Sequence, residues 1–200
     1  MKLYASPLSP YVRKVRVVAA VKGLTSQIEM VPADTNVGDP ILNKLNPLAK
    51  IPCLVADDQV IYDSHIICEY LDSLGTGPVL FPRSGPERWK ALTLGALADG
   101  MLDAALLLVY EKRFRPEDKH VVAWTDRQWA KLHGALAHLE TAPPVWGAHP
   151  DYGHITLACA LGYLDFRHEG KWRVGHPKLV AWLDRFAATV PAIAATAPKA

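Results

Sequence analysis

Between Gly75 and Pro86 the chain reads GTGPVLFPRSGP, three glycines and three prolines in twelve residues. Both residue types punctuate regular structure, so no helix or strand is expected to run through this stretch. It reads as an interdomain linker, and the two sides of it follow different apolar periods. The sequence therefore predicts one domain over residues 1–76, a linker over 77–86 and a second domain over 87–200.

Before the linker, strand and helix signals alternate. Leu3 to Ala5 is a short strand candidate, followed by the loop Ser6-Pro7-Leu8. Ser9-Pro10 opens a helix: serine is a favoured N-cap, and proline suits the first helical position because its missing N–H would be unpaired there. Val12, Val15 and Ala19 recur at helical spacing, and Gly23 stops the helix. Ile28 and Met30 flank Glu29 with period two, the pattern of a half-buried strand. Residues 36–46 are mixed and polar, with room for a short helix. Cys53-Leu54-Val55 and Val60-Ile61-Tyr62 surround Ala56-Asp57-Asp58-Gln59, a hairpin signal. Asp63-Ser64 then caps a third helix, with Ile67, Tyr70, Leu71 and Leu74 on one face. The order is β-α-β-α-β-β-α.

After the linker no strand pattern occurs. Residues 89–114 and 119–139 are long helical segments. Residues 154–166 are apolar nearly all round, which marks a buried central helix. Residues 177–190 form a last helix with Leu179, Leu183, Phe186 and Val190 in step. The second half is predicted to be an all-α bundle, and the Ala/Pro-rich tail PAIAATAPKA a loosely ordered end.

Composition narrows the function classes. Half the residues are apolar, 21% are charged and the net charge is +2. That describes a globular protein with no electrostatic footprint for nucleic acid or membrane as a partner. No run is read as approaching the roughly 18 apolar residues of a membrane span. The N-terminus lacks a signal-peptide core, so a cytoplasmic location is expected. Cys53, Cys68 and Cys159 form no C-x-x-C pair, and the eight histidines form no H-x-x-x-H pair. No metal site is expected.

Four local features resemble the cytosolic glutathione S-transferase family and together span nearly the whole chain. They are SPYVRKVR (9–16) at the first helix, NPLAKIP (46–52), Asp63-Ser64, and ACALGYLDFR (158–167) in the core helix. The last, with ALADGMLDAALLLVYE (96–111), is similar to a bacterial subgroup that carries Ser at the first-helix active-site position. The resemblance implies a thioredoxin-like α/β domain (βαβαββα) followed by an all-helical domain.

It also implies glutathione as cosubstrate and a reaction at its thiol. A free thiol ionises near pH ~8.5, so a thiolate at neutral pH needs help. Lowering that value by about two units takes ~2.7 kcal/mol. A hydroxyl hydrogen bond to a charged group gives ~1.5–3 kcal/mol and a helix dipole ~0.3–1 more. Ser9 sits where both are available, with its bare capping role as the alternative reading and Ser6 as the competing hydroxyl. The family match carries Ile51-Pro52 over as a cis peptide whose main chain pairs with the cysteinyl backbone. It carries Ser64 over to the γ-glutamyl carboxylate, Asp63 to the ammonium and Lys50 to the glycyl carboxylate. Without that match, Asp63-Ser64 is a helix cap and Lys50 a surface lysine.

The family reading gives a transferase acting on a small, apolar electrophile bound between the domains, with Tyr11, Met101, Val109 and Phe114 as candidate contacts. A glutathione-dependent isomerase or reductase, or a non-catalytic binding protein, are the rival readings. The apolar surface of residues 91–110 predicts a homodimer. Arg13, Lys14 and Arg16 read as the solvated side of the first helix, and the three cysteines as buried apolar residues. At the core helix the family usually has Ser or Thr followed three residues later by Asp. Here Asp151 and His154 stand there, and a protonated imidazole cannot accept the reciprocal bond, so a different helix start is expected.

Overall fold

The computed structural model describes residues 1–198. It divides into two compact units, Met1–Arg83 with the chain from Val190 onward, and Ser84–Thr189.

The first unit begins with strand β1 (Lys2–Ala5), helix α1 (Pro10–Val21) and strand β2 (Glu29–Pro32). Helix α2 (Pro40–Leu45), strands β3 (Cys53–Ala56) and β4 (Gln59–Ile61), and helix α3 (Ser64–Leu74) follow. The sheet order is β2-β1-β3-β4. β1 and β2 are parallel, a pairing that needs a crossover, which α1 supplies. The β1–β3 and β3–β4 pairs are antiparallel, the second closed by a tight turn with Asp57 at φ +50°. Side chains alternate across the strands. Leu3 and Leu54 pair on one face and are fully buried, as are Val12 and Val15 of α1 and Ile67 and Leu71 of α3. Tyr4 and Cys53 pair on the other face, where Ala33, Leu42, Leu45 and Ile51 pack with them. β2 is more exposed than its period suggested, with Met30 42% exposed, because it is an edge strand.

Two sequence expectations fail in this unit, for α1 and for the tail, and at Arg13 the reason is that chain remote in sequence packs on α1. Arg13 and Lys14 are buried, not solvated. Helix α8 (Ala192–Ala195) packs on α1. The Arg13 Nη2 donates to the Ile193 carbonyl at 2.7 Å, and Ile193 is buried. The tail thus contains a short helix, with Ile193 and Thr196 buried, and Val190 and the described residues after it group with the first unit instead of the helical one; the last two residues of the expected loose end lie outside the described residues.

The Gly/Pro stretch is also held. Asp72 of α3 accepts the N–H groups of Leu80 and Phe81, both at 3.0 Å. Lys22 pairs with the same carboxylate at 3.0 Å and donates to the Pro78 carbonyl at 2.9 Å. Leu80 and Phe81 are buried as a result.

The second unit contains α4 (Gly85–Phe114), α5 (Val122–Thr141), α6 (Tyr152–Arg167) and α7 (Pro177–Thr189). Every residue from Tyr152 to Leu161 is buried, which places α6 at its centre. α4 packs on α6 closely enough that glycine is required twice. A Cβ at Gly95 would strike the Tyr152 ring, and one at Gly153 would lie 2.6 Å from the Ala91 carbonyl oxygen. By length and composition α4 could also cross a membrane, contrary to the sequence expectation, but it lies against α5 and α6.

The start of α6 corrects another expectation. Asp151 and His154 do form a reciprocal cap. The Asp151 carboxylate accepts the His154 N–H at 3.2 Å, and the imidazole Nδ1 lies 3.3 Å from the Asp151 N–H and 2.6 Å from its carboxylate. Nε2 faces the Val145 carbonyl at 3.3 Å. The imidazole does here what a short polar side chain usually does.

Candidate active site

Strand register brings three separated segments to one end of the sheet. Tyr4 pairs with Cys53, so the loop leaving β1 (Ser6–Ser9) lies beside Ile51-Pro52, which enters β3. Leu54 pairs with Ile61, so the chain leaving β4 through Tyr62 and Asp63 reaches that same end. The N-termini of α1 and α3 both follow directly from it.

Ser9 is the N-cap of α1, and its Oγ accepts the Val12 N–H at 3.3 Å. An accepting hydroxyl keeps its own proton to donate. Among the described residues no acceptor is paired with that proton. Ser6 is similar: its Oγ accepts the Leu8 N–H at 3.4 Å, and its carbonyl accepts the Ser9 N–H at 3.1 Å.

The Ile51-Pro52 peptide is cis. Its loop is organised by Asn46, a buried residue of the 46–52 motif to which sequence reasoning gave no role of its own. Asn46 Nδ2 donates to the Lys50 carbonyl at 2.9 Å, and its Oδ1 accepts the Leu48 N–H at 3.0 Å. The Ala49 N–H closes a turn on the Asn46 carbonyl at 2.8 Å, with Ala49 at φ +53°. Asparagine before proline is the sequence signal for such a turn. Lys50 itself is exposed.

Asp63 is the N-cap of α3 and its Oδ1 accepts the His65 N–H at 3.0 Å. The peptide before it, Tyr62-Asp63, is cis. Ser64 is the first residue of the helix and is buried. Its hydroxyl makes no side-chain hydrogen bond among the described residues. His65 is half-buried, its ring 5.6 Å from that of Phe81.

Cys53 lies at the same end of the sheet, but burial pushes its thiol up, away from a thiolate. All three cysteines are free and buried. The proposed second-substrate contacts are dispersed in character. Tyr11 and Val109 are half-buried, Met101 is in the core of the helical unit and Phe114 is 58% exposed. Met101 is 3% exposed, which leaves it little surface to offer. Among the described residues no group of three or more His, Cys, Asp or Glu could hold a metal.

The sequence matches the family model for the glutathione S-transferase N-terminal domain over residues 8–74, and that for the C-terminal domain over 122–185. It is 35% identical over 186 residues to an uncharacterized GST-like protein, YibF, of Escherichia coli, covering 90% of each chain. A glutathione transferase family member from Pseudomonas fluorescens, solved with bound glutathione, superposes with a TM-score of 0.92. The two are 42% identical, over 100% of this chain and 99% of that one. A glutathione S-transferase from Methylobacillus flagellatus, also with glutathione bound, gives 0.89 at 33% identity over 99% of each chain. This chain belongs to the glutathione S-transferase family.

Proposed function

We propose that the protein binds glutathione at this end of the sheet, stabilises its thiolate and catalyses thiolate attack on a small electrophile. The observation that carries the reading is the pairing of two helix N-termini with two unspent hydroxyls, Ser9 at α1 and Ser64 at α3. Helix N-termini favour anions. The Ser9 proton would go to the thiolate, and Ser64 with its main-chain N–H to the γ-glutamyl carboxylate. Asp63 would meet the γ-glutamyl ammonium, and Lys50 the glycyl carboxylate. The Ile51 main chain would pair with the cysteinyl backbone like an added strand. The protein's part in the reaction is positioning and thiol activation; the nucleophile belongs to the bound cosubstrate. A relative's structure containing S-(propanoic acid)-glutathione supports this reaction class, at 42% identity to this chain.

Serine at position 9 supports conjugation or isomerisation over disulfide chemistry, which a cysteine there would serve. We further read the protein as a cytoplasmic homodimer. The three free, buried cysteines suit a reducing compartment. The exposed Trp89 and Leu107 on α4 suit an interface. Calorimetric titration with glutathione tests the site. Ser64→Ala should weaken binding about 10- to 150-fold, the equivalent of one hydrogen bond to a charged group, ~1.5–3 kcal/mol. Unchanged affinity would reduce Ser64 to a helix residue and move the site.

A further inference from the structure

Asn46 uses its main-chain N–H and C=O and both ends of its side-chain amide within its own helix and loop. The main-chain N–H closes α2 on the Leu42 carbonyl at 2.8 Å, and the main-chain carbonyl accepts the Ala49 N–H at 2.8 Å. The side-chain Oδ1 accepts the Leu48 N–H at 3.0 Å, and Nδ2 donates to the Lys50 carbonyl at 2.9 Å. Asn46 is 2% exposed. Leu42, one turn back on α2, is buried in the cluster with Ala33 and Cys53, against which Ile51 also packs. The sheet thus supports α2, α2 supports Asn46, and Asn46 carries the chain from Pro47 to Lys50.

That loop is held in one geometry. Ala49 is at φ +53°, a left-handed conformation that a residue with a Cβ keeps only where its surroundings require it. The consequence lies at the next peptide. The Lys50–Ile51 bond is trans, so its C=O and N–H point in opposite directions. Fixing the Lys50 carbonyl on Asn46 therefore turns the Ile51 N–H away from Asn46. Among the described residues that N–H has no acceptor. It lies where the chain enters β3, at the end of the sheet that Ser9 and Ser64 share.

We propose that Asn46 is a positioning residue for glutathione: by holding the Lys50 carbonyl it aims the Ile51 N–H at the cysteinyl carbonyl of the bound tripeptide. The assignment rests on the glutathione reading above and adds to it a residue that touches no substrate. A donor aimed in advance has no ordering left to undergo when the ligand arrives, and this raises affinity. With the Lys50 carbonyl released, the peptide can rotate and the Ile51 N–H loses its direction.

Two variants test this. Asn46→Asp keeps an acceptor for the Leu48 N–H but sets an oxygen where the donor to the Lys50 carbonyl was; Asn46→Ala removes both. Backbone amide NMR spectra during a glutathione titration read two ends of the ligand separately, Ser64 at the γ-glutamyl carboxylate and Ile51 at the cysteinyl carbonyl. In wild type both resonances should move, and hydrogen exchange at Ile51 should slow at saturation. In each variant affinity should fall about three- to ten-fold, the range of one neutral hydrogen bond. At saturation the Ser64 resonance should still move, while the Ile51 amide should stay unprotected. A general loss of structure would instead abolish both responses together. That result, or failure of both variants to fold, would make Asn46 a folding residue only and overturn the proposal. Variant affinity equal to wild type, or an Ile51 amide still protected by glutathione in both variants, would also overturn it and leave the glutathione site standing. So would a wild type in which Ser64 responds and Ile51 does not. A wild type in which neither amide responds to millimolar glutathione would overturn the glutathione reading itself, and the proposal with it.

Discussion

Asp72 ties the backbone of the Gly/Pro stretch to α3 and to a buried ammonium. Its carboxylate takes the N–H groups of Leu80 and Phe81 and the Lys22 ammonium, each at 3.0 Å, and Lys22 itself reaches the Pro78 carbonyl. The side chains of Lys22 and Asp72 are only 3% and 9% exposed. Surface pairs are worth ~0–1 kcal/mol, but removing one partner of a buried pair costs ~3–5 kcal/mol because the other charge is left uncompensated. Asp72→Ala does that and also orphans two N–H groups. We therefore expect it to destabilise the protein by about 3–5 kcal/mol, a large part of the ~5–15 kcal/mol that folded domains possess. Lys22→Met should cost less, about 1–3 kcal/mol, since two N–H donors still serve the carboxylate. The double variant should be non-additive, with a coupling of ~0.5–3 kcal/mol. Urea unfolding of all four proteins by tryptophan fluorescence gives the cycle. An Asp72→Ala protein within about 1 kcal/mol of wild type would refute the argument, because the pair would then behave like an exposed one.

Glu111 predicts a pH effect. The Val121 N–H, and then Arg115, hold its carboxyl below the usual carboxylate range of about 4.3. Its contribution is therefore complete above the unfolded value and is lost as pH falls through the lower folded one. Glu111→Gln should be less stable than wild type at pH 7 and closer to it at pH 3 by urea midpoint; an equal gap at both would contradict this. If the α4 surface is an interface, light scattering at micromolar concentration should give twice the 22.0 kDa chain mass, and a monomer would count against it.

The fold was legible wherever the signal is local. Ser9-Pro10 and Asp63-Ser64 cap helices because the chemistry of a cap lies within four residues, and Asp57 turns a hairpin inside its own loop. The residues misread are those whose surroundings come from far along the chain. Arg13 and Lys14 sit among charges that suggest a solvated face, yet α8, some 180 residues on, covers that helix. The Gly/Pro stretch has linker composition, and nothing local reveals that Asp72 and Lys22 fix its backbone. His154 was misjudged on chemistry: an imidazole can take either part in a cap. At the site, the motifs identified the segments, but only register shows that Ser9, Pro52 and Ser64 belong to one end of the sheet.

The central claim is that the Ser9 hydroxyl donates to the glutathione thiolate. The direct measurement is a pH–rate profile of wild type and Ser9→Ala with one fixed electrophile. Losing that donor should raise the bound thiol's ionisation by about one to two pH units, the equivalent of ~1.5–3 kcal/mol. Conjugation near pH 6.5 should fall about ten-fold or more, and much of the loss should return at high pH, where the thiol ionises unaided. Glutathione affinity should change less than rate. Superimposable profiles would contradict the account and leave Ser6 or a main-chain N–H as the thiol's partner.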